Sequence, residues 1–331
     1  MKLLNIDKDI LLKPLQMISG IVERRHTLPI LSNVFLKTDG KKLEFIATDL
    51  EIQIATSIQL DDDYSSEALT ISARKTVDIL RALPDKTKIS LEASENRAIL
   101  KSGKSKFNLQ TLPSKDFPLI SAKENAKLDI VKIEQNVLKD MLQKVQFSMA
   151  QQDIRYYLNG LLLVLEGQTL RLIATDGHRL ACIKSDLPSG AEEMPSIIIP
   201  RKTVGEIRKL IEDSSDDLII KVSDTKIQFI LKDVQLTSKL IDGTFPDYER
   251  VIPKGNDKEL SIETKVFSSS IDRVATISSD KSKAVKFLLK DGALTLTVIN
   301  PDAGTAVETT PVDYNHEELE IGFNARYLLD I

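Results

Sequence analysis

Basic residues recur on one face of two predicted helices, where they could bind phosphate groups. At about 100° per residue, one third of the circumference of one helix holds four cations: Arg201, Lys202, Arg208 and Lys209. An earlier helix places three on one side: Arg74, Lys75 and Arg81. A solvated face is the ordinary reading of one such helix taken alone. The repetition favours a localised phosphate surface, salt-sensitive and indifferent to base sequence.

Motifs for catalysis or metal binding are weak. Ser102–Ser105 resembles the end of a phosphate-binding loop, but alanine stands where that motif requires its first glycine. Asp61–Asp63 fit an acidic loop better than a metal site. Asp176 and His178 could exchange protons, yet no motif places a nucleophile beside them. We expect Cys182 to be a buried structural thiol, and we predict no catalytic centre, no cofactor and no metal.

Composition indicates a folded, cytosolic protein. The chain has 331 residues, of which 42% are hydrophobic and 28% charged, so global disorder is excluded. One cysteine excludes an internal disulfide framework, and three histidines with one cysteine argue against a structural zinc site. Neither a signal peptide nor an apolar run of about 20 residues is present, so we expect no membrane association.

Charge is distributed unevenly along the chain. The net charge is −4, which argues against a protein coated in nucleic acid. Residues 1–127 carry 20 Lys and Arg against 17 Asp and Glu, residues 128–256 carry 17 against 19, and residues 257–331 carry 8 against 13. Ordinary scatter explains such differences; alternatively, the mildly basic first part meets the acidic last part of another copy.

The sequence repeats itself at intervals of 127 and then 124 residues. The matching segments are Ala73–Ile79 with Pro200–Glu206, Leu43–Asp49 with Leu170–Asp176 and Leu294–Asn300, and Pro200–Val204 with Asn324–Leu328. Several pairs in one order at nearly one spacing predict three tandem domains. We predict boundaries at 1–127, 128–256 and 257–331, with the third domain incomplete because it stops inside its second helix.

Each repeat has the pattern helix, strands, helix, strands, which predicts an α+β fold. The first helix of the second repeat is expected from Asn136 to about Ala150. Its counterpart in the first repeat contains Lys13-Pro14, so we expect a kink or a late start. Asp176-Gly177 between two apolar runs predicts a hairpin turn.

Five segments together resemble the bacterial DNA sliding clamp family, the beta subunit of DNA polymerase III, over the whole chain. They are Thr27–Leu31, Gln152–Gly160, Ala174–Ala181, Pro200–Lys202 and Gly243–Tyr248. The resemblance implies a clamp fold: a head-to-tail homodimeric ring of six similar domains, with helices lining the hole around duplex DNA and antiparallel sheets outside. It implies a non-enzymatic processivity factor for the polymerase.

The resemblance also implies site residues and partners. DNA-binding positions are Arg25 and Gln152, to which the basic helix faces add Arg74, Lys75, Arg201 and Lys202. A partner-peptide cleft between the second and third domains is lined by Leu158, Thr175, Gly177, His178, Arg179, Leu180, Pro246, Arg250 and Val251. The dimer interface joins Lys75, Phe107 and Leu109 to Thr276 and Ile277. Expected partners are duplex DNA, the polymerase III catalytic subunit with its 3′–5′ exonuclease complex, the clamp loader, repair polymerases and other proteins with a clamp-binding motif.

Two other functions stay open at this point. One is a three-domain protein-interaction scaffold that does not encircle DNA. The other is a metal-dependent phosphoesterase using Asp176 and His178.

Overall fold

A computed structural model describes residues 2–22, 27–94, 97–120, 129–187, 194–279 and 283–331. The chain forms two compact units, Met1–Thr244 and Phe245–Ile331. Helices and antiparallel sheets alternate in both units, so the α+β prediction is confirmed.

Six α-helices lie within the described ranges. They are α1 (Lys8–Ile18), α2 (Ala73–Ala82), α3 (Gln135–Val145), α4 (Arg201–Leu210), α5 (Thr264–Ala275) and α6 (Ala325–Leu329). Apolar faces fix these helices onto the sheets: in α3 the predicted face Leu138, Met141, Leu142 and Val145 is buried. This helix is shorter than predicted because a 3-10 turn, Gln146–Ser148, replaces its last residues.

The described ranges contain eighteen strands. In the first unit they are β1 (Lys2–Asp7), β2 (Asn33–Thr48), β3 (Ile52–Ser72), β4 (Lys88–Ser94), β5 (Arg97–Ser102), β6 (Ser105–Gln110), β7 (Asp129–Glu134), β8 (Gly160–Glu166), β9 (Thr169–Thr175), β10 (Leu180–Asp186), β11 (Met194–Pro200), β12 (Asp217–Val222), β13 (Lys226–Leu231) and β14 (Val234–Lys239). In the second unit they are β15 (Ala284–Lys290), β16 (Ala293–Asn300), β17 (Gly304–Pro311) and β18 (Leu319–Asn324).

The strand order of the sheets repeats along the chain. The first unit contains the sheets β1-β4-β5-β6, β10-β9-β8-β11 and β2-β3-β14-β13-β12-β7, and the second contains β17-β16-β15-β18. Strands β7, β12, β13 and β14 follow the order of β1, β4, β5 and β6, and the four strands of the second unit follow the order of β8 to β11. Sheet order thus repeats with the sequence, because each repeat packs its helices on the same strand pattern.

One sheet joins the first two repeats. Strand β14 pairs antiparallel with β3, with Leu236 opposite Ile54. Lys239 extends the contact: its backbone N–H donates to the Glu51 carbonyl at 2.9 Å, and its Nζ lies 2.9 Å from the Glu51 carboxylate. The sequence did not predict this pairing between repeats.

Two local predictions were wrong: a buried Cys182, and an acidic loop at Asp61–Asp63, which lie within strand β3. Cys182 is exposed, because the alternation along β10 turns Ala181 and Ile183 inward and the thiol outward. Of the two alternatives expected at Lys13-Pro14, a kink or a late start, the late start does not occur, because helix α1 begins at Lys8 and runs through Pro14. Pro14 is buried, and because proline has no N–H, the helix lacks the hydrogen bond that residue 14 would donate to the Ile10 carbonyl.

Candidate functional site

The predicted DNA-binding side chains lie in three different settings. Arg74 and Lys75 are exposed at the start of α2. Lys202 is exposed on α4, where its Nζ forms an ion pair with Asp49 of the first repeat. Gln152 is exposed with φ +56°, and Arg25 lies outside the described residues.

Arg201 is half-buried and binds the protein backbone. Its Nη1 donates to the carbonyl of Met149 at 2.7 Å, just beyond α3. Arg179 donates to the neighbouring carbonyl of Phe147 and stands 5.4 Å from the centre of its ring. Two guanidinium groups therefore sit where the carbonyls and dipole of a helix C-terminus favour positive charge. Sequence reasoning assigned Arg201 only to phosphate.

The motif Ala-Thr-Asp forms the same turn in both repeats of the first unit. We call residues 48–53 the β2–β3 turn and residues 175–180 the β9–β10 turn. The Thr48 hydroxyl donates to the carbonyl four residues on at 2.8 Å, and the Thr175 hydroxyl does so at 2.7 Å. The next residue, Asp49 or Asp176, accepts with Oδ1 from the two N–H groups two and three residues ahead. The predicted hairpin is confirmed, and its side-chain bonds explain why these residue types recur.

The β9–β10 turn presents several predicted cleft residues. Gly177 and His178 are exposed, and Thr175, Arg179 and Leu180 are half-buried. Gly177 has φ +87°, a conformation that glycine adopts without steric cost. A Cβ at this position would lie 2.9 Å from Arg155 Nη2, so the guanidinium in its present position leaves no room for a side chain at residue 177.

Arg155 ties the turn to the loop before β8. Its Nε and Nη2 donate to the Asp153 carboxylate at 3.0 and 2.9 Å, and Nη2 also donates to the Asp176 carbonyl at 3.2 Å. Hydrogen bonding from Arg155 lowers the pKa of Asp153 to about 2. The carboxylate therefore stays ionised at neutral pH and keeps the guanidinium in place.

Leu158 is the buried residue of the loop before β8. It is 1% exposed, and its carbonyl accepts from the N–H of Ala150 at 3.0 Å. The side chain of Asn159 closes the loop, accepting from the Asp153 N–H and donating to the Asp153 carbonyl, both at 2.9 Å. Tyr156 beside it is 57% exposed. Because Leu158 is buried, its side chain stabilises the loop and exposes little surface to a peptide.

Three predicted cleft residues belong to the second unit. Pro246, Arg250 and Val251 are exposed, and the Nε of Arg250 pairs with Asp247 at 2.7 Å. Their membership of a cleft stays a prediction.

The predicted dimer residues are surface or partly buried groups. Phe107 and Leu109 are half-buried on β6, which lies at the end of its sheet. Thr276 is exposed after α5, and Ile277 is half-buried, with its carbonyl accepting from Asn300 at 2.8 Å. Lys75 is exposed. An edge strand such as β6 is able to pair with another chain.

The weak catalytic motifs have structural roles. Ser102 and Ser105 pair across the β5–β6 turn, where Gly103 has φ +55°. Both carboxylate oxygens of Asp176 accept hydrogen bonds from its own turn. Within the described ranges, no group of three or more His, Cys, Asp or Glu is placed to hold a metal ion. Those ranges also contain no helix with the length and apolarity to cross a membrane.

Sequence reasoning missed two residues that support the β9–β10 turn, Asp153 and Arg155, and Asp49 of the β2–β3 turn in the first repeat. Asp49 was contained in the repeated Leu43–Asp49 segment, so the repeat itself was the signal for its role. Asp153 and Arg155 lie inside the Gln152–Gly160 segment that resembles the sliding clamp family, but no spacing rule predicts a hydrogen bond between Arg155 and the distant Asp176.

Three family models match consecutive parts of the chain. The N-terminal, central and C-terminal domains of the DNA polymerase III beta subunit match residues 1–121, 132–247 and 249–331. The beta sliding clamp of Caulobacter vibrioides is 43% identical over 334 residues, covering 99% of this chain and 89% of that protein. The beta sliding clamp of Pseudomonas putida is 40% identical over 326 residues, covering 98% and 88%.

Solved structures agree with these matches. The DNA polymerase III subunit beta of Pseudomonas aeruginosa superposes with a TM-score of 0.94 at 39% identity, covering 100% of this chain and 89% of that one. The sliding clamp of Bartonella birtlesii bound to griselimycin gives 0.95 at 43% identity, with the same coverage. The chain therefore belongs to the family of DNA polymerase III beta subunits, the beta sliding clamps, which are non-catalytic processivity factors of that polymerase.

Proposed function

We propose that this chain encircles duplex DNA as a homodimer and tethers the replicative polymerase through a peptide bound at the β9–β10 turn. The observation that carries the proposal is the repeated helix design. Helices α2 and α4 bury apolar faces, including Val77 and Val204, while Arg74, Lys75 and Arg208 remain exposed. Because a closed ring is retained by its topology, weak phosphate contacts are sufficient and permit sliding.

Arg74 and Lys75 are the phosphate contacts that the geometry supports best. Both are exposed on the first turn of α2, whereas Arg201 and Lys202 are engaged by Met149 and Asp49. Those two remain proposed contacts, with part of their hydrogen-bonding capacity already used within the protein.

Salt dependence tests the DNA surface. Each phosphate contact contributes about 0.9 to the slope of log affinity against log salt concentration. We expect Arg74→Gln with Lys75→Gln to lower that slope by about 1.8 on a 30-base-pair duplex of about 100 Å, measured by fluorescence anisotropy. Lys132→Gln is the control, because Lys132 is exposed on β7, where Val131 and Ile133 face the core. An unchanged slope in the double variant would contradict the assignment.

Retention on closed DNA tests encirclement. Complexes assembled on a nicked circular plasmid are expected to survive gel filtration, and linearisation is expected to release the protein from the DNA ends. A three-domain scaffold that does not encircle DNA would behave identically on both templates.

The polymerase, the clamp loader and repair polymerases are proposed to present a short peptide to the β9–β10 turn. Exposed Gly177 and His178 offer backbone and imidazole groups, and half-buried Leu180 supplies apolar surface. We expect Leu180→Ala to weaken binding of such a peptide in calorimetry. Leu158→Ala is expected to act through the loop fold, because Leu158 is buried. Unchanged affinity in Leu180→Ala would refute the assignment of Leu180.

A homodimer is proposed through the open edge of β6. Its counterpart β14 already pairs with β3, where Leu236 faces Ile54. Phe107 is the third residue of β6, as Leu236 is the third residue of β14, and we infer that it faces β17 of a second copy. Light scattering is expected to give twice the 37.0 kDa of one chain, and Phe107→Asp is expected to halve that mass. Ile154→Asp is the control, because Ile154 is 97% exposed on a loop.

A further inference from the structure

We infer that Asp176 is a positioning residue for peptide recognition, because it holds the backbone of Gly177, His178 and Arg179 in one arrangement. The inference rests on the proposed function of the β9–β10 turn and assigns a role to a residue that the motif-based prediction used only for a hairpin or for acid–base chemistry.

The Asp176 side chain is the centre of the turn. Its Oδ1 accepts from the N–H of His178 at 2.9 Å and of Arg179 at 3.0 Å, and its Oδ2 accepts from Arg179 Nε at 3.1 Å. The side chain is only 15% exposed, so water competes weakly for these bonds. Its own carbonyl accepts from Arg155. Asp176 thus holds two amides of the turn, orients Arg179 and joins the turn to the preceding loop, while the Thr175 hydroxyl accepts from the Gly177 N–H at 3.1 Å and donates to the Arg179 carbonyl at 2.7 Å.

The consequence is preorganisation. Gly177 has φ +87° and, like His178, is exposed, so few contacts beyond the turn itself restrain these two residues. A glycine backbone without side-chain restraint samples many conformations. Holding it in the binding geometry before a peptide arrives removes part of the ordering cost of association.

The β2–β3 turn shows what this arrangement does elsewhere in the protein. Asp49 Oδ1 accepts the equivalent two N–H groups at 2.9 and 2.7 Å, but its Oδ2 pairs with Lys202 of the second repeat. The carbonyl of Glu51 in that turn accepts from the N–H of Lys239. In the first repeat this turn therefore binds polypeptide from the neighbouring repeat.

In the second repeat, the cation that pairs with the aspartate comes from the turn itself and not from a neighbouring repeat. Arg179 takes the place of Lys202 at the second carboxylate oxygen, so the β9–β10 turn keeps its shape without a neighbouring repeat bound to it. Gly177 and His178 consequently stay exposed. The same turn that binds the protein's own chain in the first repeat is presented to a peptide of another protein in the second.

Two variants separate the contributions of the carboxylate. Asp176→Ala removes every side-chain acceptor, whereas Asp176→Asn keeps an oxygen for the two N–H groups and loses the anionic partner of Arg179. Griselimycin is bound to the sliding clamp of Bartonella birtlesii, and we propose that it binds this chain at the β9–β10 turn. With griselimycin as the probe in calorimetry, we expect about 10-fold weaker binding for alanine and about 3-fold weaker binding for asparagine. Asp49→Ala is the matched control and is expected to leave the affinity unchanged.

Hydrogen exchange provides the readout of positioning. The amides of His178 and Arg179 are expected to exchange at least 10-fold faster in Asp176→Ala, with partial recovery in Asp176→Asn. Amides of β9 are expected to stay protected, which separates a local effect from unfolding. Equal affinity in all three proteins, or equal losses for Asp49→Ala and Asp176→Ala, would overturn the inference. Absence of binding by the unsubstituted protein would refute the proposed turn site itself, together with the inference.

Discussion

Replacing Gly177 by alanine tests whether the β9–β10 turn depends on its glycine. The new Cβ would lie 2.9 Å from Nη2 and 3.0 Å from Nη1 of Arg155. The guanidinium, the end of a flexible side chain, must shift, and we expect the shift to break its bond to the Asp176 carbonyl and to disturb its pair with Asp153. The φ of +87° adds backbone strain. We expect weaker peptide binding and a less ordered turn.

The backbone strain in Gly177→Ala has a free-energy cost of known size, and a second glycine provides a matched control. A non-glycine residue at positive φ costs about 1 kcal/mol, or about 5-fold in an equilibrium constant. Gly167, in the β8–β9 turn, has φ +58°, and a Cβ added there would meet nothing within 4 Å. Gly167→Ala therefore carries the backbone strain without the collision. It lies at the other end of β9, about 20 Å away at about 3.4 Å per residue.

Calorimetry with griselimycin distinguishes the two effects. We expect Gly177→Ala to weaken binding by at least about 5-fold, while Gly167→Ala lowers thermal stability but leaves affinity within about 2-fold. Gly177→Ala with unchanged affinity would refute the link between Arg155 and the turn. Equal affinity losses in both variants would show that strain anywhere in this sheet, rather than the collision, governs binding.

Two further predictions concern ionisation and packing. Arg155→Gln is expected to return the pKa of Asp153 from about 2 toward its ordinary value in an NMR titration. In the unsubstituted protein, the contribution of this carboxylate to stability is complete above about pH 4 and is lost as the pH falls toward 2. A pKa that does not change in Arg155→Gln would contradict the ion pair. Gly160→Ala is expected to lower the unfolding temperature, because its Cβ would lie 2.6 Å from the Ile199 carbonyl. Gly205→Ala on α4, with nothing within 4 Å, is expected to stabilise by about 0.5–1 kcal/mol, and equal shifts in the two alanine variants would contradict this packing argument.

Local patterns were sufficient for most elements. The predicted basic and apolar faces of α4 are confirmed by buried Val204 and Ile207 opposite exposed Lys202 and Arg208. Strand runs such as 218–222 and 227–230 fall within β12 and β13. These features follow from periods of 3.6 and 2 residues, which neighbouring residues alone determine. Cys182 was misassigned because a short alternating strand does not by itself say which face is covered.

The sequence by itself determined the threefold repeat, the helix faces and the Ala-Thr-Asp turns, because each depends on residues close together in the chain. Only the tertiary structure decided which cation pairs with the aspartate of the β2–β3 turn and which with the aspartate of the β9–β10 turn. Asp49 meets Lys202 from 153 residues away, and Glu51 meets Lys239 from 188 residues away, whereas Asp176 finds its cation three residues ahead. Which strand edges and helices come together is set by long-range packing, and no local period encodes it.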